Sequence, residues 1–207
     1  MGWTPLYLKM DQKKVLILGA GEVGERRARR FVKSGAEVVI SGGTVSPELL
    51  DLGAKQKSLQ EVEIWVNWAD LVVVASGDEE INNKVSLLAG EKLLNRADFP
   101  DEGNLIVPTT FFIGEAQISI FTGGKSPLMA KMLRKKIQST ITDEDILQIE
   151  LQDYAREKLK KITEKQRIRR DYLYKILNNS QIKEYLGNGN IEDAKNYVDN
   201  FIKSIEE

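Results

Sequence analysis

At 207 residues, with 42% hydrophobic and 29% charged side chains, the chain carries enough apolar material for one large domain or two small ones. It has neither cysteine nor histidine, which excludes a disulfide framework, thiolate or imidazole metal ligands and imidazole acid–base chemistry. Its 30 basic and 31 acidic residues give a formal net charge of −1, so nothing draws the chain as a whole to nucleic acid. No apolar run approaches the roughly 20 residues of a membrane span, and Met1 to Pro5 lack the regions of a secretory leader, so a cytoplasmic, membrane-free protein is expected.

Thr4 to Met10 reads as a short edge segment leading through Asp11-Gln12-Lys13 into the aliphatic run Val15-Leu16-Ile17-Leu18, a strand buried on both faces. A G-x-G-x-x-G turn follows directly. Gly19 would permit the tight turn, Gly21 would let backbone approach a pyrophosphate, and Gly24 would let the next helix pack close to the sheet. The helix would begin at Glu22 and Val23, whose free N–H groups and partial positive charge suit phosphates. On its own the motif is equally compatible with an ordinary loop. Here the helix runs on to Lys33, Ser34-Gly35 stops it, and Glu37 to Ile40 forms a second apolar strand, so the motif sits inside a βαβ unit.

An acidic residue is expected after the second strand to hold the adenosine ribose, yet Ser41-Gly42-Gly43 stands there. No arginine is present for a 2′-phosphate either, so NAD is the expected cofactor over NADP. Ser46-Pro47 opens a short helix, and Trp65 and Trp68, three apart, pack one helix face. Leu71 to Ala75 forms the next buried strand, Ser76-Gly77-Asp78 ends it, a helix runs from Glu79 to Gly90, and Leu93-Leu94-Asn95 is a further strand. This alternation is that of a doubly wound parallel sheet, whose ligands bind beyond the carboxyl ends of the strands. Ser76, Asn95 and Asp98 are therefore expected on the cofactor side, and Ser41, at the end of the second strand, is counted among the cofactor-binding residues.

Leu105 to Pro108 and Ala116 to Ile120 suggest a small separate sheet. Thr122-Gly123-Gly124-Lys125-Ser126-Pro127 then opens a helix from Leu128 to Gln138 that carries Lys131, Arg134, Lys135 and Lys136. Either this is a second anion-receptive helix start or it is a well-capped helix with a solvated basic face. From Asp143 on, apolar stripes through Ile146, Ile149, Leu151, Tyr154, Leu159 and Ile162, and through Tyr172, Leu173, Ile176 and Leu177, predict helices. Gly187-Asn188-Gly189 separates them from a last helix, Ile191 to Ile205.

In order along the whole chain, these features resemble the precorrin-2 dehydrogenase family of sirohaem biosynthesis, some members of which also act as sirohydrochlorin ferrochelatases. The resemblance is carried by Pro5-Leu6-Tyr7-Leu8, the glycine turn with Arg26-Arg27, Ala75-Ser76 with Asn82, Asn95-x-x-Asp98, and Thr122 to Pro127 ahead of Arg134. It implies NAD-dependent oxidation of precorrin-2 to sirohydrochlorin by a homodimer, with Asp98 matching the catalytic aspartate and Ser126 a serine of the tetrapyrrole pocket. Two positions depart from the family pattern. A cysteine frequent after the aspartate is Gly103, and a threonine usual after the third strand is Ser76.

The architecture expected is α/β: a Rossmann-like NAD-binding domain over 1–112, a small α+β dimerisation region over 113–142 and a helical C-terminal domain over 143–207. Spacing alone gives Asp98, before Phe99-Pro100, a surface-turn role; the resemblance reverses that reading and makes it a candidate base for the departing proton. Gly124, Lys125, Ser126 and Arg134 are the candidate residues for the carboxylate-rich substrate, with Lys125 foremost because it lies in the turn itself. Iron insertion would have to rely on Asp98 or another carboxylate, and no metal site is expected. The rival from another class is a non-catalytic NAD-sensing module, which would need only the glycine-turn domain.

Overall fold

Residues 2–203 are described by a computed structural model, and they fall into two compact units that divide after Pro108. Met1 and the expected end of the last helix at Ile205 lie outside the described residues.

The first unit alternates strand and helix: β1 (Lys14–Leu18), α1 (Glu22–Lys33), β2 (Glu37–Ser41), α2 (Pro47–Asp51), β3 (Lys55–Lys57), α3 (Val62–Trp68), β4 (Leu71–Val74), α4 (Glu79–Ala89) and β5 (Leu93–Arg96). All five strands run parallel in the order β3-β2-β1-β4-β5. Val15, Ile17, Val38, Ile40, Leu71 and Val73 pack on one face with Ala28 and Phe31 of α1 and Leu49 of α2. Their neighbours Leu16, Leu18, Val39, Val72 and Val74 pack on the other with Val62 and Val66 of α3 and Val85 and Ala89 of α4. Covered faces on both sides explain why β1, β2 and β4 are continuous aliphatic runs and not alternating ones. Each such side chain contributes about 1.5–3 kcal/mol on leaving water. The strand order reverses between β1 and β4, which opens a crevice at the carboxyl ends of those strands.

One local expectation fails in this unit, and one strand was not expected. Thr4 to Met10 belongs to neither sheet, and Leu6, Tyr7 and Leu8 are exposed. Conversely, the sequence gives no sign of β3, Lys55-Gln56-Lys57, because a short edge strand needs only backbone pairing to β2 and its charged side chains remain in water.

The second unit begins with an antiparallel hairpin, β6 (Thr109–Ile113) and β7 (Ala116–Ile120). The small sheet is thus present, but its first strand is not Leu105 to Pro108. The N–H groups of Asn104 and Leu105 both reach the Leu94 carbonyl at 3.0 Å, and Leu105 and Val107 pack on the core of the parallel sheet, which commits that stretch to the first unit.

Five helices follow: α5 (Pro127–Gln138), α6 (Asp143–Ile162), α7 (Gln166–Leu177), α8 (Ser180–Gly187) and α9 (Ile191–Lys203). α6 starts in a capping box: Thr142 accepts from the Asp145 N–H, and Asp145 accepts from the Thr142 N–H. Leu151, Ala155, Leu159, Ile176, Ile182, Leu186, Ala194, Val198 and Ile202 form the core of these helices. Lys158 pairs with Asp199 at 3.1 Å, and the Tyr154 hydroxyl donates to the same carboxylate at 2.9 Å. Among the described residues no helix is long and apolar enough to cross a membrane.

Candidate active site

The carboxyl ends of β1, β2 and β4 enclose a cleft of about 400 Å³ lined by the Leu18–Gly21 turn, Gly42, Gly43, Leu59, Ala75 to Asp78 and Ile81. Gly19 has φ +98°, and a Cβ there would come within 2.7 Å of the Ala75 carbonyl oxygen, so both conformation and space call for glycine. Gly21 differs: a Cβ on it would meet no protein atom within 4 Å. It would point into open space where a ligand's phosphates must approach. Gly24 is packed so closely that a Cβ would lie 2.0 Å from the Gly19 carbonyl oxygen.

Gly21 is also the N-cap of α1 and offers no side chain to its free N–H groups, leaving those of Glu22, Val23 and Gly24 for an anion. The Glu22 side chain itself turns outward to Arg26 at 3.2 Å. A turn that excludes side chains, an uncapped helix start and a cleft beside them fit the pyrophosphate of a dinucleotide. Ser41 takes no direct part through its side chain. It is fully buried, and its hydroxyl donates to the Ser58 carbonyl at 3.2 Å.

Beyond the cleft a polar network leads to Asp98. The Ser76 hydroxyl donates to Asn82 Oδ1 at 2.5 Å, and Asn82 Nδ2 donates to the Ser76 carbonyl at 3.1 Å and to Asp98 Oδ2 at 2.9 Å. Arg96, only 2% exposed, grips Asp98 with two parallel bonds, Nε to Oδ1 at 3.0 Å and Nη2 to Oδ2 at 2.6 Å. Its Nη1 reaches Glu102 at 2.5 Å and Asn83 Oδ1 at 2.8 Å, and its guanidinium lies 5.2 Å from the Phe99 ring. Burial pushes the Asp98 carboxyl up, but the hydrogen bonds from Arg96, the Phe99 N–H and Asn82 outweigh it and hold the group at about 2. The hydrogen bond to Asp98 in turn raises Arg96 above its ordinary value.

Asn95 is buried one residue earlier. Its Nδ2 donates to the Leu105 carbonyl at 2.8 Å, and it anchors the outgoing chain without lining the cleft. The Arg30 guanidinium secures the same stretch through the Pro108 carbonyl at 2.8 Å. Among the described residues no ion pair joins Arg27 to a carboxylate. Its Nη1 is buried without a hydrogen-bond partner, and burial together with the charges of Arg26 and Arg30 lowers it to about 10.

The second unit carries the other predicted group by itself. Gly123 and Gly124 have φ +66° and +73°, and Ser126 caps α5 by accepting from the Met129 N–H at 3.1 Å. Thr122 Oγ1 donates to the Ser126 carbonyl at 3.2 Å and fixes the turn from within. Gly124 and Lys125 are exposed, and Arg134 lies 5.4 Å from the Phe111 ring while donating to Gln138 at 3.2 Å.

A family model described as "Putative NAD(P)-binding" matches residues 6–109, the first unit almost from end to end. A relative from Methanocaldococcus jannaschii named "Putative precorrin-2 dehydrogenase" is 35% identical over 88% of this chain and 93% of its own length. The precorrin-2 dehydrogenase of Methanosarcina barkeri is 32% identical over 87% of this chain and 85% of its own. The chain belongs to the precorrin-2 dehydrogenase family. A solved structure titled "SirC, precorrin-2 dehydrogenase" superposes with a TM-score of 0.78, covering 96% of this chain and all of that one; at 21% identity it shows that the fold is shared.

Gly103 has no room for a side chain. A Cβ would lie 2.7 Å from the Leu94 carbonyl oxygen. Sequence reasoning singled out Gly19, Gly21, Ser76 and Asp98 but missed Arg96. The signal was present as Arg-x-Asp at a strand end, where residues two apart share a side. Nothing in the sequence said, however, that the arginine would be buried.

Proposed function

We propose that the protein oxidises precorrin-2 to sirohydrochlorin in sirohaem or related tetrapyrrole biosynthesis, with NAD as oxidant. The observation that supports this reading is the hydrogen-bonded path from the cleft at the glycine turn through Ser76 and Asn82 to Asp98, which links a carboxylate to that cleft. Bound NAD supplies the hydride acceptor. The turn from Gly19 to Gly24 holds its pyrophosphate, with Glu22 and Val23 contributing N–H groups, and Ser76 borders the cleft. Asp98 faces the reacting ring. Gly124, Lys125, Ser126 and Arg134 receive substrate carboxylates, the exposed cation of Lys125 and the Gly-Gly backbone being suited to them.

A non-catalytic nucleotide sensor would need only the first unit. The similarity to the two archaeal relatives covers 87–88% of the chain and includes the second unit, so the sensor reading has no support. The working form is a cytoplasmic homodimer. Phe112, Leu128, Met129 and Met132, exposed on β6 and α5, supply apolar surface for the contact.

The test is anaerobic incubation of the protein with enzymatically generated precorrin-2 and NAD, followed by absorbance, beside a control without NAD. NAD-dependent appearance of sirohydrochlorin is expected, with loss of that activity and retained NAD binding in Asp98→Asn. A folded, NAD-binding protein that leaves precorrin-2 unchanged would refute the assignment.

A further inference from the structure

Asp98 is more tightly held than a proton acceptor should be. A carboxylate offers about four lone-pair directions, and here side chains take three of them, Oδ1 by Arg96 Nε and Oδ2 by Arg96 Nη2 and Asn82 Nδ2, while the Phe99 N–H also donates to the group. The arginine doing this is nearly inaccessible and is itself locked by Glu102 and Asn83, so neither partner can turn away without leaving a buried charge uncompensated. Resting on the assignment of Asp98 to the dehydrogenation site, we propose that Arg96 is a positioning residue that locks the Asp98 carboxylate in one orientation. Asp98 then acts on the substrate as a fixed negative charge and not as the proton acceptor.

The chemistry balances without a protein base. One C–H bond of the reduced macrocycle breaks, and its electron pair leaves with the hydrogen as hydride to the oxidised nicotinamide. The ring is left with one positive charge, which a preorganised anion stabilises without rearranging. A pyrrole N–H then releases its proton to water, so precorrin-2 and NAD⁺ give sirohydrochlorin, NADH and H⁺. A carboxyl held at about 2 suits the first step and is a poor acceptor in the last.

The geometry gives Arg96 a second effect. By joining Asp98, Glu102 and Asn83 of α4, it ties the 97–102 stretch down beside the Asn82 that orients Asp98 from the other side. Lysine could keep the charge but not the fork.

The test combines titration with kinetics. Carbon-13 NMR of the Asp98 carboxyl, in nucleotide-free protein, should find it ionised down to a midpoint of about 2 in the wild type. In Arg96→Met the midpoint should climb toward the ordinary aspartate value near 3.9, and Arg96→Lys should fall between. With precorrin-2 and NAD at neutral pH, Arg96→Met should lose roughly tenfold or more in kcat with the KM for NAD unchanged, and Arg96→Lys should recover part of that loss.

Two results would overturn the proposal. One is an Asp98 midpoint that does not move in either variant. The other is an Arg96→Met kcat at or above wild type, as a carboxylate freed to act as base would give. If Arg96→Met does not fold, the same two readings on Arg96→Lys decide. A wild type with the low midpoint that oxidises no precorrin-2 overturns the assigned reaction and leaves the clamp standing.

Discussion

In the parallel-sheet unit, Ser41, Asn82, Asn95 and Arg96 are buried polar side chains, and three of them end or directly follow the apolar runs of β2 and β5. In the hairpin and helix unit the fully buried side chains from Leu151 to Ile202 are hydrocarbon. One interior therefore holds desolvated dipoles and a charge, while the fully buried positions of the other are filled by packed hydrocarbon and its Lys158–Asp199–Tyr154 cluster is only partly buried. The difference teaches where chemistry is built: at the strand ends of the first unit, where Arg96 finds a partner for its charge in Asp98 while Asn95 leaves its Oδ1 buried without one.

The largest effect that would sharpen this contrast is in the second unit. Leu159, fully buried in the helical core, should cost about 2–5 kcal/mol on replacement by alanine. Hydrogen exchange should locate the loss in α6 to α9, while calorimetric NAD binding by the first unit stays at its wild-type affinity. Weakened NAD binding would break the separation drawn between the two interiors.

Acid should act on the other unit. The Asp98 pKa lies below its ordinary value, so its contribution is complete above about pH 4 and disappears as pH falls toward about 2. With Asp98 21% exposed, the shift corresponds to about 2 kcal/mol. Urea unfolding of the first unit, followed between pH 5 and 2, should show that slope in the wild type and a flatter one in Asp98→Asn. Equal slopes would mean that Asp98 does not carry the acid sensitivity.

The smallest expected effect separates function from stability within the first unit. A side chain on Gly21 would meet no protein atom, so Gly21→Val should cost the fold no more than the exchange of a favoured for a poor N-cap residue, about 1 kcal/mol. It should nonetheless weaken NAD binding by roughly tenfold or more, at least about 1.4 kcal/mol, because the branched side chain fills the approach to the pyrophosphate. Unaltered affinity would show that the phosphates do not pass over Gly21.

Much of the fold was legible because burial on both faces leaves a plain mark. Val15 to Leu18 and Leu71 to Val74 admit hardly anything but central strands, and the stripes through Leu151, Leu159 and Ile176 admit hardly anything but packed helices. Lys55 to Lys57 left no mark, since an edge strand is specified by its neighbour's backbone. Leu105 to Pro108 misled, because its apolar residues serve the parallel sheet as a packed strap while pairing in the hairpin starts at Thr109. The site divides the same way. The glycine turn was legible through its setting inside a βαβ unit, whereas Ser41 and Asn95, both predicted to face the cofactor, have their side chains committed to the Ser58 and Leu105 carbonyls.

The sequence by itself determined the βαβ order and the glycine turn, because residue type, periodicity and spacing are local and survive in one dimension; it offered Asp98 only through the family resemblance, since spacing alone made it a surface turn. Only the tertiary structure decided what kind of carboxylate Asp98 is. Its acidity depends on which donors converge on it, and Asn82 and Arg96 arrive from α4 and β5 only after those elements have packed beside each other at the edge of the sheet.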